Sequence, residues 1–283
     1  IHQQRDVNRG HDYNAQKDMQ PLYALGGGPS LTALLAEELG VDAGDILATD
    51  LVLCPRQAPV RIGPEGEFFQ APRIDDLGCA YATLEGFLSA KGTERFGQLY
   101  CLFDNEEVGS GTRQGAMSSF LPDVLTRIGE ALGLSAQARR QALAGSLLLS
   151  ADNGHAVHPN FPEKADPANR VYPNGGVVIK YSANQKYTTT GLTAGLFQAI
   201  CQKAGVPVQV YYNNSRIPGG GTLGNLSGSH VALPTVDIGL PQLSMHSPYE
   251  TAGAKDLEYM VQAMEAFYKT VLTVTGQDAY EIS

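Results

Sequence analysis

Two adjacent glutamates, Glu106 and Glu107, follow the apolar run Leu99-Tyr100-Cys101-Leu102-Phe103 and precede a Gly109-Ser110 turn. The run has the length of a strand, and on extended backbone neighbouring side chains point opposite ways. One carboxylate can therefore bind a metal ion while the other faces a water molecule, the division of labour of a metallohydrolase. In an open α/β sheet such a pair lies in the crevice beyond the carboxyl ends of the strands. Four further polar clusters punctuate the chain: Arg73-Ile74-Asp75-Asp76, Asp152-Asn153-Gly154-His155-Ala156-Val157-His158, Ser215 to Leu226 with Gly219-Gly220-Gly221, and Met245-His246-Ser247. Oxygen and imidazole ligands without thiolate suit zinc, manganese or cobalt at a catalytic site. The simplest two-metal arrangement is one carboxylate bridging two ions, with one acidic residue and one histidine closing each side.

Each residue alone has an ordinary use. Asp75 can be a turn or cap residue. His155 and His158, three apart and before Pro159, can satisfy turn carbonyls. His246, after Leu243 and Met245, can be a hydrogen-bonded core histidine. Adjacent glutamates are usually solvated, and this pair is unusual only because the preceding run reads as buried strand. The set together shifts the balance toward chemistry.

The elements that must position these clusters alternate. Ser30 caps a helix to about Leu39, with Leu31, Leu34, Leu35 and Leu39 on one face and Gly40 stopping it. Residues 46–54 and 60–62 read as strands, followed by the turn Gly63-Pro64-Glu65-Gly66. From Pro72 the pattern becomes helix 78–90, strand 98–103, helical segments within 121–145, strand 146–150, strand 177–181, helix 190–204, strand 206–212 and a closing amphipathic helix 256–274. This alternation predicts an α/β fold, a mixed, largely parallel sheet with helices on both faces. A small β-rich unit over residues 1–71 precedes the main domain, 72–283.

The 283 residues carry a net charge of −9, which argues against nucleic acid or an anionic membrane as partner. No stretch reaches the ~18 apolar residues of a membrane span, and the opening residues do not read as a signal peptide. The four cysteines, Cys54, Cys79, Cys101 and Cys201, form no C-x-x-C pair. Reduced thiols and a cytoplasmic location are the expectation.

The five clusters, in their order, resemble the aspartyl aminopeptidase family of dinuclear zinc peptidases. The residues carrying the likeness are Pro72-Arg73-Ile74-Asp75-Asp76-Leu77, Asp104-Asn105-Glu106-Glu107-Val108-Gly109-Ser110, Ser150-Ala151-Asp152 through His158-Pro159-Asn160, Pro218-Gly219-Gly220 with Thr222-Leu223-Gly224, and Pro241-Gln242-Leu243-Ser244-Met245-His246-Ser247. The resemblance runs through nearly the whole chain. It implies a metal-dependent aminopeptidase acting on peptides with an acidic N-terminus, with two zinc ions for which manganese or cobalt can substitute. Carried over by position, Asp75 would bridge both ions, Asp152 would bind one, and Glu107 and His246 the other. Glu106 would be the general base, and Asp76 a supporting residue beside the bridge. His158 would lie near the scissile carbonyl, with His155 beside the substrate. Lys180 would face the acidic side chain, with Tyr187 lining the same pocket, although an edge-strand lysine in solvent fits its pattern as well. The family also forms closed shells, dimers assembling to a dodecamer, through the unit corresponding to residues 1–71. His2 would be the histidine that reaches a neighbour's active site.

The likeness has gaps. The family's remaining zinc ligand, a histidine in an early His-x-Asp-type motif, has no counterpart, so the expectation is that residues before Ile1 carry it. Arg216 stands where relatives usually carry Asp, and Gly221 replaces a small hydroxyl residue. Two rival readings follow: a catalytically silent shell-forming protein, and an aminopeptidase with a broader, neutral preference.

Overall fold

The computed structural model describes residues 1–92 and 96–283. They divide into two compact units, Ile1–Leu53 and Cys54–Ser283. The first holds two short helices, α1 (Ala15–Asp18) and α2 (Leu31–Leu39), and two 3-10 turns. The Ser30 hydroxyl accepts the Ala33 N–H, and Gly40 ends α2 at φ 65°, the left-handed cap that glycine adopts without a Cβ penalty. Residues 46–54 pair with no strand among the described residues, and Leu47, Leu51, Val52 and Leu53 are exposed. Their β propensity has no neighbouring edge to satisfy it.

Along the second unit run β1 (Val60–Ile62), β2 (Phe68–Ala71), α3 (Ile74–Ser89), α4 (Phe120–Ala131), α5 (Ala136–Ala144), β3 (Leu148–Ala151), β4 (Gly154–His155), β5 (Val177–Tyr181), α6 (Gly191–Ala204), β6 (Val208–Tyr212), α7 (Leu223–Gly228), β7 (Thr235–Gly239), β8 (Pro241–Leu243), β9 (Glu250–Gly253), α8 (Ala254–Lys269), β10 (Leu272–Gly276) and β11 (Ala279–Ile282). Four strands form a mixed sheet in the order β3-β7-β5-β6. β3 runs parallel to β7 and β5 to β6, while β5 and β7 are antiparallel. A second sheet, β1-β2-β9-β8-β4, is antiparallel except for β4 against β8. Thus β1 and β2, expected within the small leading unit, pair into the second unit through β9.

Strand alternation sorts the faces. Val177 and Ile179 of β5, with Val236 and Ile238 of β7, point into the core beside Cys79 and Ala82 of α3, Phe197 and Cys201 of α6, and Met260 and Met264 of α8. The intervening residues turn to the other face, where α7 packs Gly224 against Ser150 and Asp237. Helices therefore cover both faces, and the second face carries the polar chemistry.

Besides residues 46–54, two elements differ from the sequence expectation. Residues 98–103 are not a strand: Leu99 and Leu102 are exposed, and no described strand pairs with them. The segment is held by side chains instead, with the Tyr100 hydroxyl donating to Ala80 O at 2.9 Å and the Tyr268 hydroxyl to Leu99 O at 3.3 Å. The closing helix stops at Lys269 rather than 274, because the run Thr273-Val274-Thr275 is β-branched and leads into a tight turn. That turn joins the β10–β11 hairpin, with Asp278 at φ 53°. The other helices and strands that the sequence predicts lie within a few residues of expectation, and β5 matches end to end.

Helices α3 and α8 approach closely at Gly86, where a Cβ would lie 2.3 Å from Met264 Cβ and 2.9 Å from Glu265 N. Alanine there gains about 1 kcal/mol of helix propensity against an overpacking cost of about 1–3 kcal/mol. Backbone atoms cannot swing aside, so the cost wins. Gly86→Ala should lower the urea midpoint, and an unchanged or raised midpoint would contradict this packing.

Candidate metal centre

Segment 148–156 runs alongside 235–242 for its whole length, first as β3 against β7, then as β4 against β8. Between these pairings the two segments leave one sheet for the other, bridged by Asp152 N–H to Ile238 O at 3.0 Å and Gly154 N–H to Leu240 O at 2.9 Å. Asp152 sits at that crossing. Gly239 makes the crossing possible, since a Cβ there would lie 1.9 Å from Asp152 O.

Asp75 arrives from the start of α3, at φ −84° and ψ 114°, before the regular helix begins. His246 arrives from the turn after β8, with φ 64°. Glu106 and Glu107 lie in a loop rather than at a strand end. The loop is folded on itself by Gly109 N–H to Glu106 O at 2.9 Å and Ser110 N–H to Asn105 O at 2.8 Å. Positive φ at Asn105 and Ser110 gives the tight reversal.

These residues converge. The His246 Nε2 lies 3.0 Å from Asp75 Oδ2 and 3.0 Å from Glu107 Oε2. Ligand atoms of Asp75, Glu107 and His246 lie within 4.8 Å of one another, and so do those of Asp75, Asp76 and Asp152. Asp75 belongs to both groups. Its Oδ1 is buried and has no hydrogen-bond partner among the described residues. A buried carboxylate oxygen without a donor is costly unless a cation occupies its free side. The donor set, oxygen and imidazole, fits zinc at that position.

Crowded acids hold their protons. Burial, reinforced by Asp152, Glu107 and Glu250, pushes the Asp75 carboxyl up to about 8. Burial, with Asp152 and Glu107, raises Glu106 to about 7. Asp76 is pushed well upward by burial and then by Asp152 and Asp75. Lys180 is the counterweight: burial works against its charge, but Asp152, Tyr187 and Asp237 outweigh burial and raise it.

Lys180 is 1% exposed, and its ammonium donates to Asp152 O at 2.8 Å, Asp152 Oδ2 at 3.1 Å and Asn153 O at 3.1 Å. It also sits 5.1 Å from the Tyr187 ring centroid. All three ammonium protons are thus engaged at the Asp152 crossing. A cavity of about 660 Å³ opens over the site, lined by Asp75, Glu106, Glu107, Asp152, His155, His158, Lys180, Tyr187 and His246 among others. Gly219, Gly220 and Gly221 also line it. The His158 Nδ1 accepts the Asn160 N–H at 3.2 Å. His2 belongs to the first unit, where it is exposed.

Three buried residues at the site escaped the sequence reading. Asn153 donates through Nδ2 to Ile74 O at 2.9 Å and to Gln242 Oε1 at 2.7 Å, while its backbone N–H reaches Asp76 Oδ1 at 3.2 Å. Glu250, at the start of β9, accepts backbone N–H groups from Asp75 and His246. Two of the three, Asn153 and Gln242, lay inside the quoted motifs, and only their polar type hinted at a role.

A carboxylate shared between two ligand groups on an α/β scaffold belongs to a recognisable class, that of hydrolytic metal centres. The family model described as "Aminopeptidase I zinc metalloprotease (M18)" matches residues 1–268, and the chain belongs to this family. The Probable M18 family aminopeptidase 2 of Clostridium acetobutylicum is 41% identical over 273 residues, covering 95% of this chain and 63% of that protein. A namesake from Pseudomonas aeruginosa is 40% identical over 278 residues, with the same coverage of 95% and 63%. The chain thus spans less than two thirds of these curated relatives. Among solved structures, a chain of the Ape4 and Nbr1 complex matches with a TM-score of 0.84 at 32% identity, covering 95% of this chain and 56% of that one. The S. cerevisiae mApe1 dodecamer matches at 0.74 and 31% identity, covering 84% and 54%.

A carboxyl raised in the folded state stabilises the fold below its ordinary value, and that stability is lost as pH climbs through the raised value. For Asp75 and Glu106 the window runs from about 4 up to about 8. Metal-free protein in EDTA should therefore melt at falling temperatures from pH 5 to 8, and the gain on adding zinc should grow over the same range. A melting temperature that is flat or rising with pH in EDTA would contradict the crowding of these acids.

Proposed function

We propose that this chain forms the major part of a zinc aminopeptidase that removes one N-terminal residue from peptides, preferring Asp or Glu. The observation that carries the reading is Asp75: it belongs to both ligand groups, and one of its oxygens has no donor. Asp75 would bridge two zinc ions, with Asp152 on one and Glu107 and His246 on the other; Asp76 is close enough to assist at the first. When bound, such ions supply an acidified water and electrostatic stabilisation of the oxyanion. Glu106 takes the proton from the attacking water and returns it to the leaving amine. Its carboxyl, held near neutrality by burial and neighbouring acids, has the proton affinity such a base needs. His158 lines the cavity wall and would donate toward the carbonyl oxygen.

Acidic preference rests on Lys180, a buried cation lining the cavity beside Tyr187. Its ammonium carries positive charge into a crevice otherwise rich in carboxylates. One observation favours a second reading, a neutral preference: the three donors of Lys180 are already engaged by Asp152 and Asn153. Self-association into a shell is the proposed assembly, supported by the exposed apolar residues Leu22, Leu25, Leu47, Val52 and Leu53 of the first unit and by the related dodecamer. No helix is long and apolar enough to cross a membrane, among the described residues, and the proposed location is the cytoplasm.

Release of Asp, Glu, Leu and Lys from N-terminal amide substrates, with zinc, manganese or cobalt supplied, tests these readings. Glu106→Gln should lower kcat by about 10²–10⁴-fold with little change in KM. Zinc-dependent release that survives this change would remove Glu106 from the mechanism. Lys180→Met should erase an acidic preference, and unaltered selectivity in a folded variant would decide for the neutral reading.

A further inference from the structure

Glu250 is 2% exposed and makes no ion pair among the described residues. Its two oxygens are divided between two backbone groups. Oε2 accepts the Asp75 N–H at 2.8 Å and Oε1 accepts the His246 N–H at 2.6 Å. A buried carboxylate with four lone-pair sites could serve many donors; this one serves the amides of two candidate ligands that are 171 residues apart in sequence.

The surrounding backbone explains why such a clamp is needed. Asp75 precedes the regular part of α3, outside helical φ and ψ, so the helix ladder does not hold its amide. His246 stands at φ 64°, a region that a side chain with a Cβ enters only when something fixes it there. Its imidazole is 64% exposed, so packing does not fix it either. Glu250 itself is well anchored: it opens β9, pairs with Ala71 of β2, and leads into residues that pair with β8. A strand paired on both sides thus reaches two poorly supported candidate ligands through one side chain.

We propose that Glu250 is a positioning residue that sets Asp75 and His246 at the separation needed to share one divalent ion. It contacts neither the ion nor the substrate, since both oxygens are committed to amides. The inference rests on the metal reading above. Glutamine at this position keeps the shape but turns a donor toward one of the two N–H groups, so one anchor is lost while the other remains.

The full chain and its Glu250→Gln variant should be titrated with zinc against a chromogenic chelator, and both loaded with cobalt for absorption spectra. The variant should bind the Asp75–His246 ion about 10- to 100-fold more weakly, as loss of outer-shell support does. Its cobalt ligand-field bands should shift, and kcat should fall more than KM rises, with circular dichroism unchanged. A folded variant with wild-type zinc affinity and an unshifted cobalt spectrum overturns the role of Glu250 while leaving the metal centre intact. A wild-type chain that takes up no zinc overturns both. Should the variant fail to fold, residue-resolved amide exchange on the wild-type chain decides. Protection at both Asp75 and His246 supports the clamp, and free exchange at the exposed His246 overturns it.

Discussion

Mutual repulsion among carboxylates organises this molecule. Asp75, Asp76, Glu107 and Asp152 bring their oxygens within a few ångströms of His246 or of one another, and Glu106 and Glu250 stand close by. Such a group in a partly buried crevice has few ways to be tolerated: keep protons, meet cations, or be held by amide dipoles. All three occur. Asp75 and Glu106 are pushed toward their protonated forms, Lys180 sits against Asp152, and Glu250 accepts only backbone N–H groups. Among the described residues the buried Oδ1 of Asp75 meets no donor, and the carboxylates and imidazole around it are a donor set that fits a divalent cation.

The scaffold supplies that crowding through a strand crossing. Two parallel segments change sheets together, and the crossing places Asp152 beyond the end of β3. Gly239 is the local requirement, because any side chain would strike the Asp152 carbonyl. Around it, Asn153 ties the crossing to α3 through Ile74 O and to β8 through Gln242. Ligands from α3, β3 and the turn after β8 thus share one network of short polar contacts. A shift in any one of these elements would be felt by the others.

Much of this was legible in the sequence, for reasons that differ by residue. Local signals worked where the physics is local: Ser30 and Gly40 bound α2, and the apolar run 177–181 is β5. The ligand candidates were visible because five polar clusters recur beside strand ends and loop breaks, although each residue alone has an ordinary structural use. Glu250 was invisible, since its partners are 175 and 4 residues away and only the fold unites them. Residues 98–103 misled because apolar composition predicts extended backbone but not a neighbour to pair with. Apart from β1, the strands of the second sheet escaped notice because they are only two to four residues long, too short for periodicity to register.

Lys180 shows how one residue can satisfy structure and specificity in competing ways. It sits on the face of β5 opposite the apolar core, near the half-buried carboxylate of Asp152 and the buried one of Asp237. Asp237 in turn accepts from Thr188 and Thr222, so the same charge cluster braces two loops of the cavity wall. A lysine there has a structural use whether or not a substrate carboxylate ever reaches it, because its charge offsets the cost of holding these acids out of water. In the proposed zinc-loaded enzyme an ion held by Asp152 would compete with the Lys180 ammonium for that carboxylate, so the proposed acidic selectivity would depend on how far the Lys180–Asp152 pair gives way.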